Sequence, residues 1–277
     1  PGRGAEAVAP LLRRVLAPNP GLMTGPGTNT YIVGAAEVAV VDPGPDDPGH
    51  LQTVASAAGP ALRWILVTHA HPDHAPGAAA LSELTGAVVL GYDERAGFRP
   101  DRRLSDGDHA AGGPGWALVA LHTPGHSSDH LCYLLDSRDG ARVLLSGDHV
   151  MDGSTVVVAP PDGDMAAYLQ GLRRLMALAP PPDAIAPGHG GMIGDPGARL
   201  AEYLSHRLER EAALAGALAG LPEAGVDDLV RLVYADVPGE LWPVARYSVW
   251  AHLRKLAGEG KAVTEDVDRL DSRWRAV

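Results

Sequence analysis

Trp64-Ile65-Leu66-Val67-Thr68-His69-Ala70-His71-Pro72-Asp73-His74 decides how the rest of the chain is read. The first four residues are a short, continuous, partly β-branched apolar run, the pattern of a buried strand rather than of a helix. Four imidazole or carboxylate side chains follow within six positions, on the loop that leaves that strand. Neutral imidazole and carboxylate are the groups that bind zinc and similar borderline metals. In a sharp turn His69 and His71 can face one way, which frees Asp73 and His74 for a second cation nearby. The plainer alternative is an exposed polar loop rich in histidine, but such clusters at strand ends are more typical of sites than of scaffolds.

The motif is not alone. Trp116 to Leu121 reads as a strand that runs into His122-Thr123-Pro124-Gly125-His126. Val143-Leu144-Leu145 runs into Ser146-Gly147-Asp148-His149, and Ala184-Ile185-Ala186 into Pro187-Gly188-His189-Gly190. Four strand ends thus deliver ligand-type residues. In layered α/β proteins sites gather where strands hand over to loops. Further strands are expected at 30–33, 38–41, 62–67, 88–90 and 131–135, and helices at 48–59, 77–84, 164–179 and 196–219. Residues 1–28 and 91–115, rich in Gly and Pro, are expected to be mostly loop. Asp42-Pro43-Gly44 closes one strand, and Asp42 is either a turn-former or a partner that orients a metal-bound histidine.

After Gly220-Leu221-Pro222 the pattern changes, and a domain boundary is placed there: residues 1–220 as the catalytic domain and 221–277 as a small C-terminal one. Helical spacing over 226–235 and over 243–257, the latter with Val244, Tyr247, Val249, Trp250, Leu253 and Leu256 expected on one buried face, is followed by Lys261-Ala262-Val263, which can pair with Trp274-Arg275-Ala276-Val277. Helix, helix, ribbon is the pattern of a winged helix. From 243 to 277 there are seven Lys/Arg against five Asp/Glu, a net +2 in a chain of formal charge −11. That is too weak a basic balance to claim nucleic-acid binding unaided.

The 277 residues are 45% hydrophobic with 34 Gly and 24 Pro, a loop-rich globular composition whose core must come from Ala, Val and Leu because aromatics are scarce. The acidic charge argues against gripping long nucleic acid through the overall field. One cysteine, Cys132, excludes an internal disulfide, fits a reducing compartment, and lies in a strand-like run that suggests a buried, inert thiol. No apolar run is long enough to span a membrane and the first residues carry no signal-peptide pattern, so a cytoplasmic location is expected.

His69-x-His71-x-Asp73-His74 with His126, Asp148 and His189 resembles the complete signature of the metallo-β-lactamase superfamily. Gly27-Thr28-Asn29-Thr30-Tyr31, Asp42-Pro43-Gly44, Ser205-His206-Arg207 and the tail through Lys261 and Trp274 resemble its β-lactamase-like protein 2 branch, with bacterial, actinobacterial relatives. The resemblance implies an α/β fold, an αββα sandwich with a small winged-helix-like C-terminal domain, and two zinc ions per chain. It also implies the ligand split: His69, His71 and His126 for one metal, Asp73, His74 and His189 for the other, and Asp148 between them. Asp73 and Asp148 are the expected catalytic carboxylates, serving a shared hydroxide that attacks the carbonyl of a small substrate such as a β-lactam, lactone, ester or thioester. A metal-dependent endoribonuclease acting on single-stranded RNA is the alternative, with Arg246, Arg254, Lys255 and Lys261 as its candidate patch. A non-catalytic binding protein or a redox diiron protein is a third and weaker reading. A homodimer is left open.

His130 and His149, next to ligand turns, are expected to be hydrogen-bonded structural residues more than substrate contacts. His149 also departs from relatives that often carry a small residue or Cys after the bridging Asp. His122 is expected beside the site or in a structural role, His50, His109, His206 and His252 at the surface or in packing, and Ser154-Thr155 at the pocket mouth or in a plain turn.

Overall fold

The computed structural model describes residues 4–153 and 155–277; Ser154, expected near the pocket mouth, lies outside them. The chain resolves into two compact units. One comprises the chain to Thr123 with Asp129–Thr155 and Leu178–Gly197, the other Pro124–Ser128, Val156–Ala177 and Ala198–Val277.

The first unit holds two sheets. One has seven strands in sequence order: β1 (Glu6–Ala9), β2 (Leu12–Leu16), β3 (Asn29–Gly34), β4 (Val38–Val41), β5 (Leu62–Leu66), β6 (Val88–Gly91) and β7 (Arg102–Arg103). Helices α1 (Pro48–Ala58) and α2 (Gly77–Thr85) fall between its strands. Asp47 caps α1, its side chain accepting the His50 N–H at 2.7 Å, with Pro48 in the first turn where no N–H is needed. The second sheet has the order β12 (Ala184–Pro187), β11 (Arg142–Gly147), β10 (Leu131–Ser137), β9 (Trp116–His122) and β8 (His109–Gly113).

Side-chain alternation sorts the core. Tyr31, Val33, Ala39, Val41, Leu66 and Leu90 pack with Leu118, Ala120, Leu131, Tyr133, Leu135 and Leu145 between the sheets. Their neighbours Ile32, Val38, Val40, Ile65 and Val89 pack instead with Leu51, Val54, Ala78 and Leu81 of the helices. Strands buried on both faces explain the unbroken apolar runs in the sequence.

Strand direction then decides where the chemistry lies. β4, β5 and β6 are parallel, and β3 is antiparallel to β4, so the start of β3 and the ends of β4 and β5 share one edge. In the second sheet β11 and β12 are parallel and β10 is antiparallel to β9 and β11, which brings the ends of β9, β11 and β12 together with the start of β10. Backbone bonds join the two edges: Leu131 N–H to Thr68 C=O at 2.7 Å and Asn29 N–H to Gly188 C=O at 2.8 Å.

The second unit contains α3 (Met165–Met176), most of α4 (Pro196–Ala219), α5 (Val226–Val233), α6 (Trp242–Gly258) and a three-stranded ribbon of β13 (Ala224–Gly225), β15 (Arg273–Ala276) and β14 (Ala262–Val263). Ala262 pairs with Ala276 and Val263 with Arg275, the expected ribbon, to which β13 adds an edge. Leu229, Val230, Val249, Trp250, Leu253, Leu256 and the fully buried Trp274 form its core.

Among the described residues, 4–28 and 91–115 are mostly loop, as expected, but each stretch also holds strands. β1 and β2 pair as a hairpin, with Leu12 and Val15 buried and Arg13 and Arg14 between them. Residues 91–115 carry β7 and β8, short strands of Arg-Arg and His-Ala-Ala-Gly-Gly without a β-branched residue. One expectation needs correction. Tyr247, expected on the buried face of α6, is 39% exposed. No helix among the described residues is long and apolar enough to cross a membrane.

Candidate metal centre

Two sets of donors form at the shared edge of the first unit. His69, His71 and Asp148 have ligand atoms within 4.8 Å of one another, and so do Asp73, His74 and His189. Asp148 also meets the second set. Its Oδ1 is 3.4 Å from His74 Nε2 and 3.3 Å from His189 Nε2, while Asp73 Oδ2 is 3.3 and 3.2 Å from the same two nitrogens. Tetrahedral bonds of about 2.0–2.1 Å place neighbouring donors about 3.3–3.4 Å apart, so these spacings suit a zinc-sized cation. His74 Nε2 is buried without a hydrogen-bond partner, the kind of orphan that a cation satisfies. The residues present therefore fit the metal implied by the sequence.

Outer contacts fix which ring nitrogen faces inward. His74 Nδ1 donates to Asp42 Oδ2 at 2.8 Å, leaving Nε2 to the cage. Asp42 also accepts the Thr68 N–H at 2.7 Å and the Thr68 hydroxyl at 2.8 Å. Because that hydroxyl proton is committed to Asp42, Thr68 Oγ1 accepts from His69 Nδ1 at 2.9 Å, and His69 Nε2 points to His71 Nδ1, 2.9 Å away. His189 Nδ1 donates to the Gly27 carbonyl at 3.3 Å. Such contacts orient ligand rings and set their tautomers. Of the two readings of Asp42, the orienting partner is the one realised.

The turns are held as firmly as the rings. Asn29 Nδ2 donates to the carbonyls of Pro187 and Gly190, both at 2.9 Å, and the Tyr31 hydroxyl to Pro187 at 2.9 Å, which pins the loop bearing His189. The Ala70 N–H donates to Asp129 Oδ2 at 2.9 Å inside the His-rich turn. A Cβ on Gly188 would stand 2.6 Å from Asp148 Oδ1 and 2.8 Å from His74 Cε1, so only glycine lets that loop pass.

Burial disfavours charge on the three groups of the second set and on Asp148, but their mutual contacts outweigh it. Burial raises the Asp73 and Asp148 carboxyls less than His74 and His189 lower them, and both end well below the usual carboxylate range. Burial lowers His74 less than Asp148, Asp73 and Asp42 raise it, and His189 is raised to about 9. The carboxylates thus draw positive charge inward, a role protons fill and a divalent cation can take over.

His126 belongs to the second unit, where its Nδ1 donates to the Val157 carbonyl at 2.7 Å. His130 is fully buried. Its Nε2 accepts the Asp148 N–H at 3.2 Å, so its Nδ1 carries the proton and donates to Thr123 Oγ1 at 3.0 Å. It is a hydrogen-bonded structural residue, as expected. His149 is also fully buried, its ring 5.8 Å from that of His130. His122 stacks on Tyr92 at 4.1 Å, and His50 is buried against Thr30. Cys132 is buried. Sequence reasoning assigned no role to Thr28, Thr68, Asp129 or Arg207. Only the placement of Thr28 and Arg207 in motifs of the branch could have drawn attention to them.

A family model described as Metallo-beta-lactamase superfamily matches residues 23–189, a span that contains all seven donors, and one described as Beta-lactamase associated winged helix domain matches 226–274. The Beta-lactamase-like protein 2 homolog of Drosophila melanogaster is 31% identical, covering 90% of this chain and 88% of its own. An atrochrysone carboxyl ACP thioesterase of Passalora fulva is 29% identical over 92% of this chain and 78% of its own. A beta-lactamase domain protein from Burkholderia ambifaria superposes with a TM-score of 0.81 at 22% identity, covering 99% of this chain and 93% of that one; this likeness bears on the fold alone. With the fold, the donor-bearing strand ends and both family matches in agreement, the chain belongs to the metallo-β-lactamase superfamily of hydrolases and carries its associated winged-helix domain behind the superfamily domain.

Proposed function

We propose that this chain is a binuclear zinc-dependent hydrolase that breaks the acyl C–O, C–S or C–N bond of a small ester, thioester, lactone or β-lactam by attack of hydroxide at its carbonyl carbon. One observation carries the reading: His74 Nε2 and His189 Nε2 each stand 3.2–3.4 Å from both Asp73 Oδ2 and Asp148 Oδ1, the spacing of neighbouring donors around tetrahedral zinc. In this reading His69, His71 and His126 hold one cation, Asp73, His74 and His189 the other, and Asp148 serves both. Two such cations supply Lewis acidity toward a carbonyl oxygen and make hydroxide available near neutral pH.

The chain's own residues do the rest. Asp148 is held through its backbone by His130, so its carboxylate keeps its place between the donor sets. Asp73 is the more open carboxylate, its side chain 24% exposed against 11% for Asp148, and its Oδ2 accepts the Thr28 hydroxyl at 2.9 Å. It is therefore the carboxylate open enough to relay a proton between the site and solvent or a leaving group. A thioester fits this chemistry, and the similar Passalora fulva protein is named for thioester cleavage.

Single-stranded RNA fits less well. Arg246 is paired with Asp227 at 2.6 Å, Lys255 with Glu211 and Glu259 at 2.6 Å each, Lys261 with Glu259 at 2.7 Å, and Arg254 with Asp268. A phosphate would have to displace an acid from each of them, which works against the counterion release that drives nucleic-acid binding. The test assays one zinc-loaded preparation against nitrocefin, a lactone, a thioester and a fluorescent single-stranded RNA. Carbonyl turnover that disappears in His71→Ala and Asp148→Ala supports the proposal. RNA cleavage that falls steeply with salt, with no carbonyl turnover, overturns it in favour of the ribonuclease.

A further inference from the structure

A buried arginine with no carboxylate beside it is costly, because the desolvated charge lacks a counter-charge. Arg207, in α4, is 2% exposed, and among the described residues no carboxylate pairs with it. Its Nη2 donates to the Val156 carbonyl, its guanidinium lies over the Tyr168 ring with Cζ 5.4 Å from the centroid, and its Nε is buried with no hydrogen-bond partner. The fold nonetheless keeps the charge there, inside the second unit.

What this charge touches is the mounting of His126. The next carbonyl along from Val156, that of Val157, is the acceptor for His126 Nδ1 at 2.7 Å. The turn that carries His126 is tied to the segment leading into α3: the Asp164 N–H donates to the Gly125 carbonyl at 2.8 Å and the Ser128 N–H to Asp162 Oδ1 at 3.3 Å. Gly125, at φ +139°, lies so close to α3 that a Cβ there would stand 2.4 Å from Tyr168 Cα. Arg207 thus grips both supports of one imidazole. One is the strand of backbone that fixes its tautomer, the other the tyrosine on which its turn rests.

We infer that Arg207 is a positioning residue for His126: by holding Val156 and Tyr168 it fixes the Val157 carbonyl and the turn 124–128, and through them the direction in which His126 Nε2 points. The inference rests on the reading of His126 as a zinc ligand. It predicts an effect confined to one of the two cation sites, because none of Arg207's contacts reaches Asp73, His74 or His189. A residue that merely filled space would show no such selectivity.

The test titrates zinc into the cation-free full chain against a chromophoric chelator. It compares wild type with Arg207→Met, Arg207→Lys, His126→Ala and the Arg207→Met/His126→Ala double variant, and follows urea unfolding of each. Loss of a direct outer partner of a metal-binding histidine costs about 10- to 100-fold in affinity; Arg207 acts one contact further out, so Arg207→Met is expected to lose about 10-fold, the lower end of that range, at a single site, with the other within about twofold of wild type. His126→Ala should weaken the same site, and the double variant should be no weaker there than His126→Ala. Arg207→Lys keeps the stem and the charge, should recover part of the loss, and serves if the methionine variant does not fold. Unchanged affinity at both sites in every Arg207 variant that folds overturns the inference. So does an equal weakening of both sites that tracks the unfolding midpoint. Retention of two tight sites in His126→Ala instead overturns the reading of His126 as a ligand.

Discussion

His74 and Asp42 form a fully internal pair: the imidazole Nδ1 donates to Asp42 Oδ2 at 2.8 Å, and neither side chain is more than 3% exposed. Asp42 accepts two more hydrogen bonds, from the N–H and the hydroxyl of Thr68, so every neighbour of its carboxylate is a donor. One residue at the end of β4 thereby sets the inward nitrogen of His74 directly and that of His69 through Thr68.

Asp42→Asn keeps the size of this group but turns an NH2 toward donors. Leaving a buried donor unmatched costs about 1–3 kcal/mol, and freeing a ligand histidine lowers metal affinity about 10- to 100-fold. Urea unfolding of the cation-free chain and zinc titration should show both losses. A variant that binds two zinc ions like wild type would show that Asp42 has no part in orienting His74.

Gly188 makes a steric prediction. Gly188→Ala would set a methyl 2.6 Å from Asp148 Oδ1 and 2.8 Å from His74 Cε1, and neither rigid, buried neighbour can yield. Metal content and turnover are expected to collapse together. Gly197→Ala, with its nearest atom Asp195 Oδ1 at 3.7 Å in the first turn of α4, should leave both intact and add about 0.4–1 kcal/mol of stability. Equal behaviour of the two variants would refute the steric account.

The donors were legible because each follows a strand whose apolar run is unbroken, and parallel pairing sends such ends to one edge. The split of the chain was less so. His126 reads as one more strand-end histidine, yet its turn belongs to the second unit through Asp164, Asp162 and Tyr168, contacts between residues 34 to 43 positions apart in sequence. Thr68, Asp129 and Thr28 each act through one or two hydrogen bonds, and nothing in a lone threonine or aspartate distinguishes it from a surface residue. Arg207 looks solvated in sequence, since it sits between His206 and Leu208 on a long Ala- and Leu-rich helix with charges on either side. Only the packed structure shows its guanidinium over the Tyr168 ring and away from water.

Removing cations should abolish turnover and lower stability, because the donor sets concentrate carboxylates where only protons would otherwise balance them. A site held at about 100 times its dissociation constant adds ~2.7 kcal/mol to the folded state. Dialysis against a chelator should lower the melting temperature, and added zinc should restore melting temperature and activity in parallel. Full activity in a preparation free of transition metals by mass spectrometry would contradict the zinc assignment.

The second unit carries its own response to acid. His252 in α6 is fully buried, and burial holds its pKa below 6.5; Arg207 and Lys255 lower it further, while Glu211, which accepts from Nδ1 at 3.2 Å, partly opposes them. Burial also raises Glu211, but hydrogen bonds from His252 and from Lys255, at 2.6 Å, outweigh it and leave that carboxyl below its ordinary range. Both groups bind protons more readily when the chain unfolds, so both lose stability as pH falls. His252 contributes in full above 6.5 and is the first to weaken below it; Glu211 contributes above 4.5 and fails as pH drops through its lower folded value. Urea unfolding followed through Trp242, Trp250 and Trp274 should therefore show the second unit weakening from pH 7 to pH 5, with His252→Gln flattening that part of the curve and Glu211→Gln flattening the part below it. A wild-type midpoint that stays constant from pH 7 to pH 5 would mean that His252 is protonated as easily in the folded chain as in the unfolded one, against the burial that surrounds it.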